Sequence, residues 1–531
     1  MSIDKRGREL WRRIAPARRA AFFGCLTTGL LVHLYAFTNL IPNSDGLSRV
    51  YDLQQMTVSG RWFLHYASAL NNFTQMPMAA GLLSLLFLGL AAALATSLLD
   101  IHSALLGGLS GAVLAAFPCL GYTFLYLFTA PAYCLSILLA ALAVWLAKRG
   151  WAGGLLGAAA LALSMGIYQA YASVAISLAL LAVLKETLDP GASLRGTWGL
   201  GLRLVFTLAA GAALYYAVLL VFLKVKNLEL LSYLGMDAAS SGYPLKELPR
   251  LVLDACKQAA SFFFRPGAAN AFTTPFLVLV DLLALAVGAL CWFLRLRAGA
   301  LWREPWRPLG GLAMAALLPL GMGFSQILSP YAQPTPLMKY AYVSAYLAVV
   351  LLLQRGDEVS ARERVLLAPA AAVWAAALLL FCLNTNNLLY TASAQAHRAT
   401  ESYLTRLFAR VEGCPGYEPG MEVAFVGAIS QDQLRAQIPS YAQVDHYSAP
   451  RDNVAVLNKH IYHYLRDWLN IPVEELDEET MKSIAQTAWF KAMPLYPAPG
   501  SVALAEGRVV VKLQEEYTPK SDFEIAYEDR R

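Results

Sequence analysis

The sequence predicts an α-helical polytopic membrane protein of about eleven transmembrane helices, closed by a small C-terminal α/β domain outside the membrane. Three observations predict it. The 531-residue chain is 57% hydrophobic and 15% charged, against roughly 25% charged in a soluble domain. Its apolar runs exceed the ~18 residues that flag a spanning helix. From residue 385 onward the composition turns to charged segments broken by Pro and Gly.

The first element is a basic N-terminus, 1–19, with Lys5, Arg6, Arg8, Arg12, Arg13, Arg18 and Arg19 ahead of the first apolar run. That is a cytoplasmic anchor under the positive-inside rule. Segment 20–40 is long enough to span and ends in no small-residue cleavage site, which argues against a removed signal peptide. Much of the net charge of +6 sits there, so it gives no nucleic-acid signal.

Spans are expected at 20–40, 78–99, 103–118, 130–147, 151–166, 170–184, 201–223, 275–296, 309–327, 338–354 and 365–384. Counting from an inside start, the inward loops hold Lys148 and Arg149, then Lys185 and Arg195, then Arg295, Arg297, Arg303 and Arg307, then Arg355, Arg362 and Arg364. Only the inward turn 100–102 lacks a basic residue. The outward gaps are 41–77, 119–129, around 167–169, 224–274 and 328–337. The mixed-charge 224–274 loop reads either as a helical insert or as a solvated connector. Eleven spans put the C-terminus outside.

Residues 385–513 read as the extracytoplasmic domain, starting with an amphipathic helix over 393–412 and carrying strands at 422–427 and 508–513. Residues 514–531 are expected to be a flexible tail. None of the seven cysteines forms a CxxC, so neither a zinc site nor a disulfide framework is implied; a Cys256–Cys414 bridge stays open. No internal repeat is visible, which disfavours inverted-repeat transporters.

The loop after the first span carries the charge. Pro42 and Asn43 break the apolar run, and Asn43 or Ser44 can cap a new helix. Asp45, Arg49 and Asp52 then fall at i, i+4 and i+7, one face of a helix lying at the membrane surface. By itself that pattern is equally an ion-pair ladder. Asp45 lies five residues beyond the apolar run, so it stays within roughly 18 Å of the helix end, at headgroup depth. Next come Ser59-Gly60-Arg61-Trp62, His65 and Tyr66. Gly permits close backbone approach, Arg offers a planar fork for phosphate oxygens, and Trp offers a face for a sugar or a seat in the interfacial belt.

Asp45-Gly46 after the first span, followed by a short helix and Gly60-Arg61-Trp62, resembles the glucosyltransferase family of O-antigen serotype conversion. That family belongs to the GT-C class of polyprenyl-phosphate-sugar-dependent membrane glycosyltransferases. The resemblance extends to Ser164-Met165-Gly166-Ile167-Tyr168-Gln169-Ala170-Tyr171 and to Met493-Pro494, Pro497 and Gly500-Ser501-Val502 near the end. Many members place two adjacent acids where this chain has Ser44-Asp45.

The resemblance implies an inverting transfer of a hexose, glucose in this family, from a polyprenyl-phosphate donor to a cell-surface glycan such as O-antigen, on the outer face of the bacterial cytoplasmic membrane. Its partners would be the lipid-linked donor, a surface polysaccharide or lipid-linked glycan acceptor, and the bilayer. A donor synthase and a flippase would act upstream. Such chemistry needs a carboxylate base and cations for the departing phosphate. Asp45 is the candidate base. Asp52 could orient the acceptor, hold Arg49 or help bind a divalent ion (Mg or Mn), although two acids seven residues apart make a poor metal site without further ligands. No other cofactor is implied.

Arg49, Arg61 and Lys339 are the phosphate candidates; Lys339 also reads as a snorkelling interfacial lysine. Trp62, His65, Tyr168, Gln169 and Tyr171 are the sugar and acceptor candidates, with an aromatic belt as the alternative. Asp281, well inside a span, is a further candidate because charges there are functional or paired. A lipid-linked sugar transporter or flippase would instead place polar residues and broken helices at mid-membrane. A polymerase or ligase would centre its charged loop late in the chain.

Overall fold

The computed structural model describes residues 12–42, 45–47, 53–230, 247–267, 273–328, 335–354, 361–438 and 457–519. The chain divides into two compact units. One comprises residues 1–40 and 51–387, the other 41–50 and 388–531.

The first unit is helical. Its helices are α1 (Pro16–Thr38), α2 (Leu53–Val58), α3 (Leu64–Ser68), α4 (Pro77–Leu98), α5 (Ala104–Ala116), α6 (Pro118–Phe124), α7 (Ala130–Lys148), α8 (Trp151–Ile167), α9 (Ala172–Thr187), α10 (Leu194–Lys226), α11 (Leu248–Phe264), α12 (Pro275–Ala298), α13 (Trp306–Met322), α14 (Phe324–Leu328), α15 (Ser344–Leu353) and the first part of α16 (Ala361–Glu412). Short 3₁₀ turns at Gln169–Tyr171 and Pro336–Val343 lead into α9 and α15.

Among the described residues, eight helices are long and apolar enough to cross a membrane, or nine if the bent pair α5–α6 counts as one. That makes a polytopic membrane protein with fewer full-length spans than the eleven expected. The shortfall has local causes. Span 103–118 is bent by 50° between α5 and α6. Span 151–166 is the 17-residue α8, and span 309–327 is the 17-residue α13 with Pro319 inside it. At ~1.5 Å rise per residue, 17 residues reach about 25 Å, the short end of the range that crosses a hydrocarbon core. A second correction concerns 365–384 and 393–412, which are one helix, α16. No Gly or Pro interrupts the chain from Ala370 until Gly413, so nothing stops the helix.

Close backbone approach locks α1 to α5. A Cβ on Gly107 or Gly111 would lie 2.2 Å from Ala17 O or 1.9 Å from Ala21 O, the small-residue packing of helices in lipid. The bend follows from Pro118, which has no N–H for Leu114 O. Three carbonyls before it are taken by side chains. Tyr340 OH donates to Leu114 O at 2.9 Å, His33 Nε2 to Ala115 O at 2.8 Å and Asn386 Nδ2 to Ala116 O at 2.8 Å. Without water, each such group must find a protein partner.

The inward turn that lacks a basic residue in sequence gains two in space. Asp100 pairs with Lys148 and with Lys185, each at 2.9 Å, and Lys185 also meets Asp189 at 2.7 Å. Partial burial pushes the Asp100 carboxyl up, but the two lysines outweigh it and hold it below the usual carboxylate range. Buried Arg307 donates to Asp189 O at 2.7 Å and Ala192 O at 2.8 Å, fastening the 189–192 turn to α13.

The second unit holds the rest of α16, then α17 (Gln431–Gln437), α18 (Asn458–Asp467), α19 (Glu478–Gln486) and α20 (Ala488–Ala492). Strands β1 (Val423–Val426), β2 (Val502–Ala505) and β3 (Arg508–Lys512) form a sheet in the order β1-β3-β2. β1 runs parallel to β3 with Val423 opposite Val509, and β2 runs antiparallel with Val502 opposite Val511. β2 was not anticipated from the sequence. The open edge of β1 is closed by α18 side chains one turn apart. Asn458 Nδ2 donates to Phe425 O and Gly427 O, while Tyr462 OH donates to Val423 O at 3.0 Å and accepts from Phe425 N. They stand in for a neighbouring strand. All seven cysteines are free thiols, Cys256 and Cys414 included.

Candidate functional site

The site begins where α2 ends. Gly60 adopts φ +78°. Its N–H bonds Thr57 O at 2.9 Å and the N–H of Arg61 bonds Met56 O at 2.8 Å, the paired bonds of a Schellman cap. Ser59 Oγ donates to Met56 O at 3.1 Å, and Arg61 Nε donates to Ser59 Oγ at 3.0 Å. The guanidinium is therefore held at its root by the turn that produces it.

Two distant segments clasp this turn. Gln169 Nε2 donates to Ser59 O at 2.9 Å and to Tyr215 OH at 3.0 Å, and Tyr215 OH donates to Gly60 O at 3.0 Å. Phe63 N–H bonds Gly166 O at 2.7 Å. The Trp62 ring is stacked on Phe222 at 5.7 Å and on Tyr215 at 6.5 Å, and it is only 7% exposed. Gly166 makes that fit possible, since a Cβ there would lie 2.8 Å from the indole. Trp62 is thus a packed wedge between α8 and α10. Its Nε1 is buried without a partner among the described residues, as is His65 Nδ1. The His65 ring stacks on Phe73 at 6.0 Å.

The 168–171 hairpin carries an aromatic group. Tyr133 and Tyr168 stack at 4.8 Å, and Tyr171 meets Tyr168 edge-on at 5.2 Å and Tyr340 at 6.2 Å. Tyr171 is fully buried, whereas Tyr168 and Gln169 are half-buried. Tyr340 joins this group to the 3₁₀ turn that holds Lys339, itself only 5% exposed. Asp281 lies on α12, 3% exposed; its Oδ1 accepts from Tyr346 OH at 2.8 Å, and its Oδ2 is buried without a partner among the described residues.

Asp45 sits in the second unit. It opens a 3₁₀ turn, Asp45–Leu47, that packs against α18, and its side chain is exposed. The sequence expectation was a longer surface helix through Asp52. Asn43, Ser44, Arg49 and Asp52 lie outside the described residues, so the Asp–Arg–Asp face is described only at Asp45. No group of three or more His, Cys, Asp or Glu that could hold a metal occurs among the described residues.

Sequence reading missed Tyr215. It stands in the apolar run of α10 as one of two adjacent tyrosines, and only its tertiary contacts distinguish it from an ordinary lipid-facing aromatic.

A family model described as Glucosyl transferase GtrII matches residues 34–381. The match takes in Asp45, the Ser59–Trp62 turn, the 168–171 hairpin, Tyr215, Asp281 and Lys339, and it leaves out the β-strands. No curated protein and no solved structure matches the chain. Covering well over half of the sequence, that match places the chain in the GtrII glucosyl transferase family and makes it a glycosyltransferase that takes a sugar donor and a glycan acceptor.

Proposed function

We propose that this enzyme moves glucose, with inversion, from a polyprenyl-phosphate donor such as undecaprenyl-phosphate glucose to O-antigen or a related surface glycan. It works on the outer face of the bacterial cytoplasmic membrane as a GT-C enzyme. Counting the bent α5–α6 pair and the short α8 and α13 as crossings gives eleven spans, with the N-terminus inside and the C-terminal domain outside. A donor synthase inside and a flippase supply the lipid-linked sugar.

The acceptor hydroxyl attacks the anomeric carbon opposite the phosphate. Asp45 takes the hydroxyl proton as the new C–O bond forms. The bond from the anomeric carbon to the phosphate oxygen breaks, and its electron pair leaves with the polyprenyl phosphate. Arg61, Arg49 and Lys339 meet the charge that develops there. Asp52 supports the acceptor or Arg49, and Tyr168 and Asp281 serve the sugar side.

The observation that carries this reading is the family match over the segment holding Asp45 and Gly60-Arg61-Trp62. The α5–α6 bend is the broken helix a transporter would have, but its carbonyls are occupied by Tyr340, His33 and Asn386, which favours a structural bend. The test incubates purified protein with polyprenyl-phosphate-glucose and a panel of lipid-linked glycans. Asp45→Asn should lower transfer by ~10²–10⁴-fold, the scale of a lost general base. Equal transfer by wild type and variant would remove Asp45 as the base; no consumption of the donor under any condition would remove the donor class.

A further inference from the structure

We infer that Tyr215, together with Gln169, is a positioning residue that holds Arg61 in place for the donor phosphate. This rests on the reading of Arg61 as a phosphate-binding residue and adds how that residue is aimed.

The argument starts from the turn itself. Arg61 follows a glycine at φ +78°, a conformation set by two backbone bonds at the end of a six-residue helix. A helix that short is marginal by itself. The two carbonyls that face away from the cap, Ser59 O and Gly60 O, are taken by Gln169 Nε2 and Tyr215 OH at 2.9 and 3.0 Å. Gln169 also donates to the Tyr215 oxygen, which leaves the phenol hydrogen for Gly60 O. The three residues form one directed chain from the hairpin to α10 to the turn.

Tyr215 is buried, and its ring flanks Trp62 as well. One side chain therefore fixes both neighbours in the Gly60-Arg61-Trp62 motif, by hydrogen bond on one side and by stacking on the other. A guanidinium recognises phosphate through a planar fork, and the fork must be oriented for its paired bonds to form. Here the orientation begins at Arg61 Nε on Ser59 Oγ, within the turn that Gln169 and Tyr215 clasp. Gln169, a sugar-contact candidate by sequence, is thereby reassigned to holding the turn.

Tyr215→Phe keeps the stacked ring and deletes only the hydroxyl. It should lower kcat/KM for polyprenyl-phosphate-glucose by roughly 2- to 12-fold, the range of one net hydrogen bond, and leave the acceptor KM unchanged. Gln169→Met should do the same and serves as the second variant if Tyr215→Phe does not fold. The deciding measurement is coupling. In an Arg61→Lys background, whose ammonium lacks the anchored Nε–H, the Tyr215→Phe loss should vanish. An equal fold-loss in both backgrounds, or a lower melting temperature with unchanged donor kinetics, overturns the positioning role while the phosphate reading stands. Full activity of Arg61→Ala overturns the phosphate reading, and this inference with it.

Discussion

His33 Nε2 donates to the carbonyl of Ala115 at 2.8 Å, from a helix 82 residues earlier in the chain. The bond answers a need created by Pro118, and the imidazole must carry its proton on Nε2 to make it. Its ring is also packed edge-on against Phe124 at 4.7 Å, so it is fixed in both position and orientation.

Replacing that donor exposes the cost of the bend. His33→Phe should fill the space and still leave Ala115 O unsatisfied, destabilising the protein by about 1–3 kcal/mol. Asn386→Leu should act likewise through Ala116 O. Thermal unfolding in detergent measures both, and unchanged midpoints would mean the bend does not depend on these side chains.

Gly166→Ala tests the seat of Trp62. A methyl group there would lie 2.8 Å from the indole and 3.0 Å from Phe63 Cβ, and overpacking of that kind costs about 1–3 kcal/mol. The expected result is a lower unfolding midpoint with reduced transfer, because the displaced Trp62 drags Arg61 with it. Pairing Gly166→Ala with Trp62→Phe should recover part of the stability, since the smaller ring vacates the contact.

His460 predicts a pH response in the second unit. Burial first, then the neighbouring Lys459 and His463, lower its pKa from 6.5 to about 3. Its Nδ1 accepts from Leu457 N–H, a bond that protonation would remove. The unfolded chain takes up the proton near pH 6.5 and the folded one only near 3. Stability is therefore whole above pH 6.5 and falls as pH drops toward 3, by up to ~1.4 kcal/mol per pH unit. His460→Gln should flatten that part of the pH–stability curve measured by urea unfolding. An unaltered curve would place the acid sensitivity elsewhere.

Much of this was legible in the sequence. Apolar run lengths located the helices, and Ser59-Gly60-Arg61-Trp62 stood out as a segment with chemistry attached, whereas the bend at Pro118 was not anticipated within span 103–118. The 422–427 and 508–513 strands were readable because short apolar runs containing valine, Val423–Val426 and Val509–Val511, stand next to turn residues there. β2, with Ala, Leu and Ala in four residues, carried no such signal. The break expected between a last span and a separate amphipathic helix was wrong because a composition change at Asn384 is not a helix stop.

The sequence by itself determined where the helices lie and the residue types available, because hydrophobic run length, proline and caps act over a few neighbouring residues. Tertiary structure alone decided which groups meet. Tyr215 finds Gly60 across 155 residues and Asn386 finds Ala116 across 270. The Asp45 turn, only a few residues beyond the first span, packs on a helix from the C-terminal unit. In a dry interior a polar group takes whichever partner the packing brings within reach, and that choice is not written in any local stretch of chain.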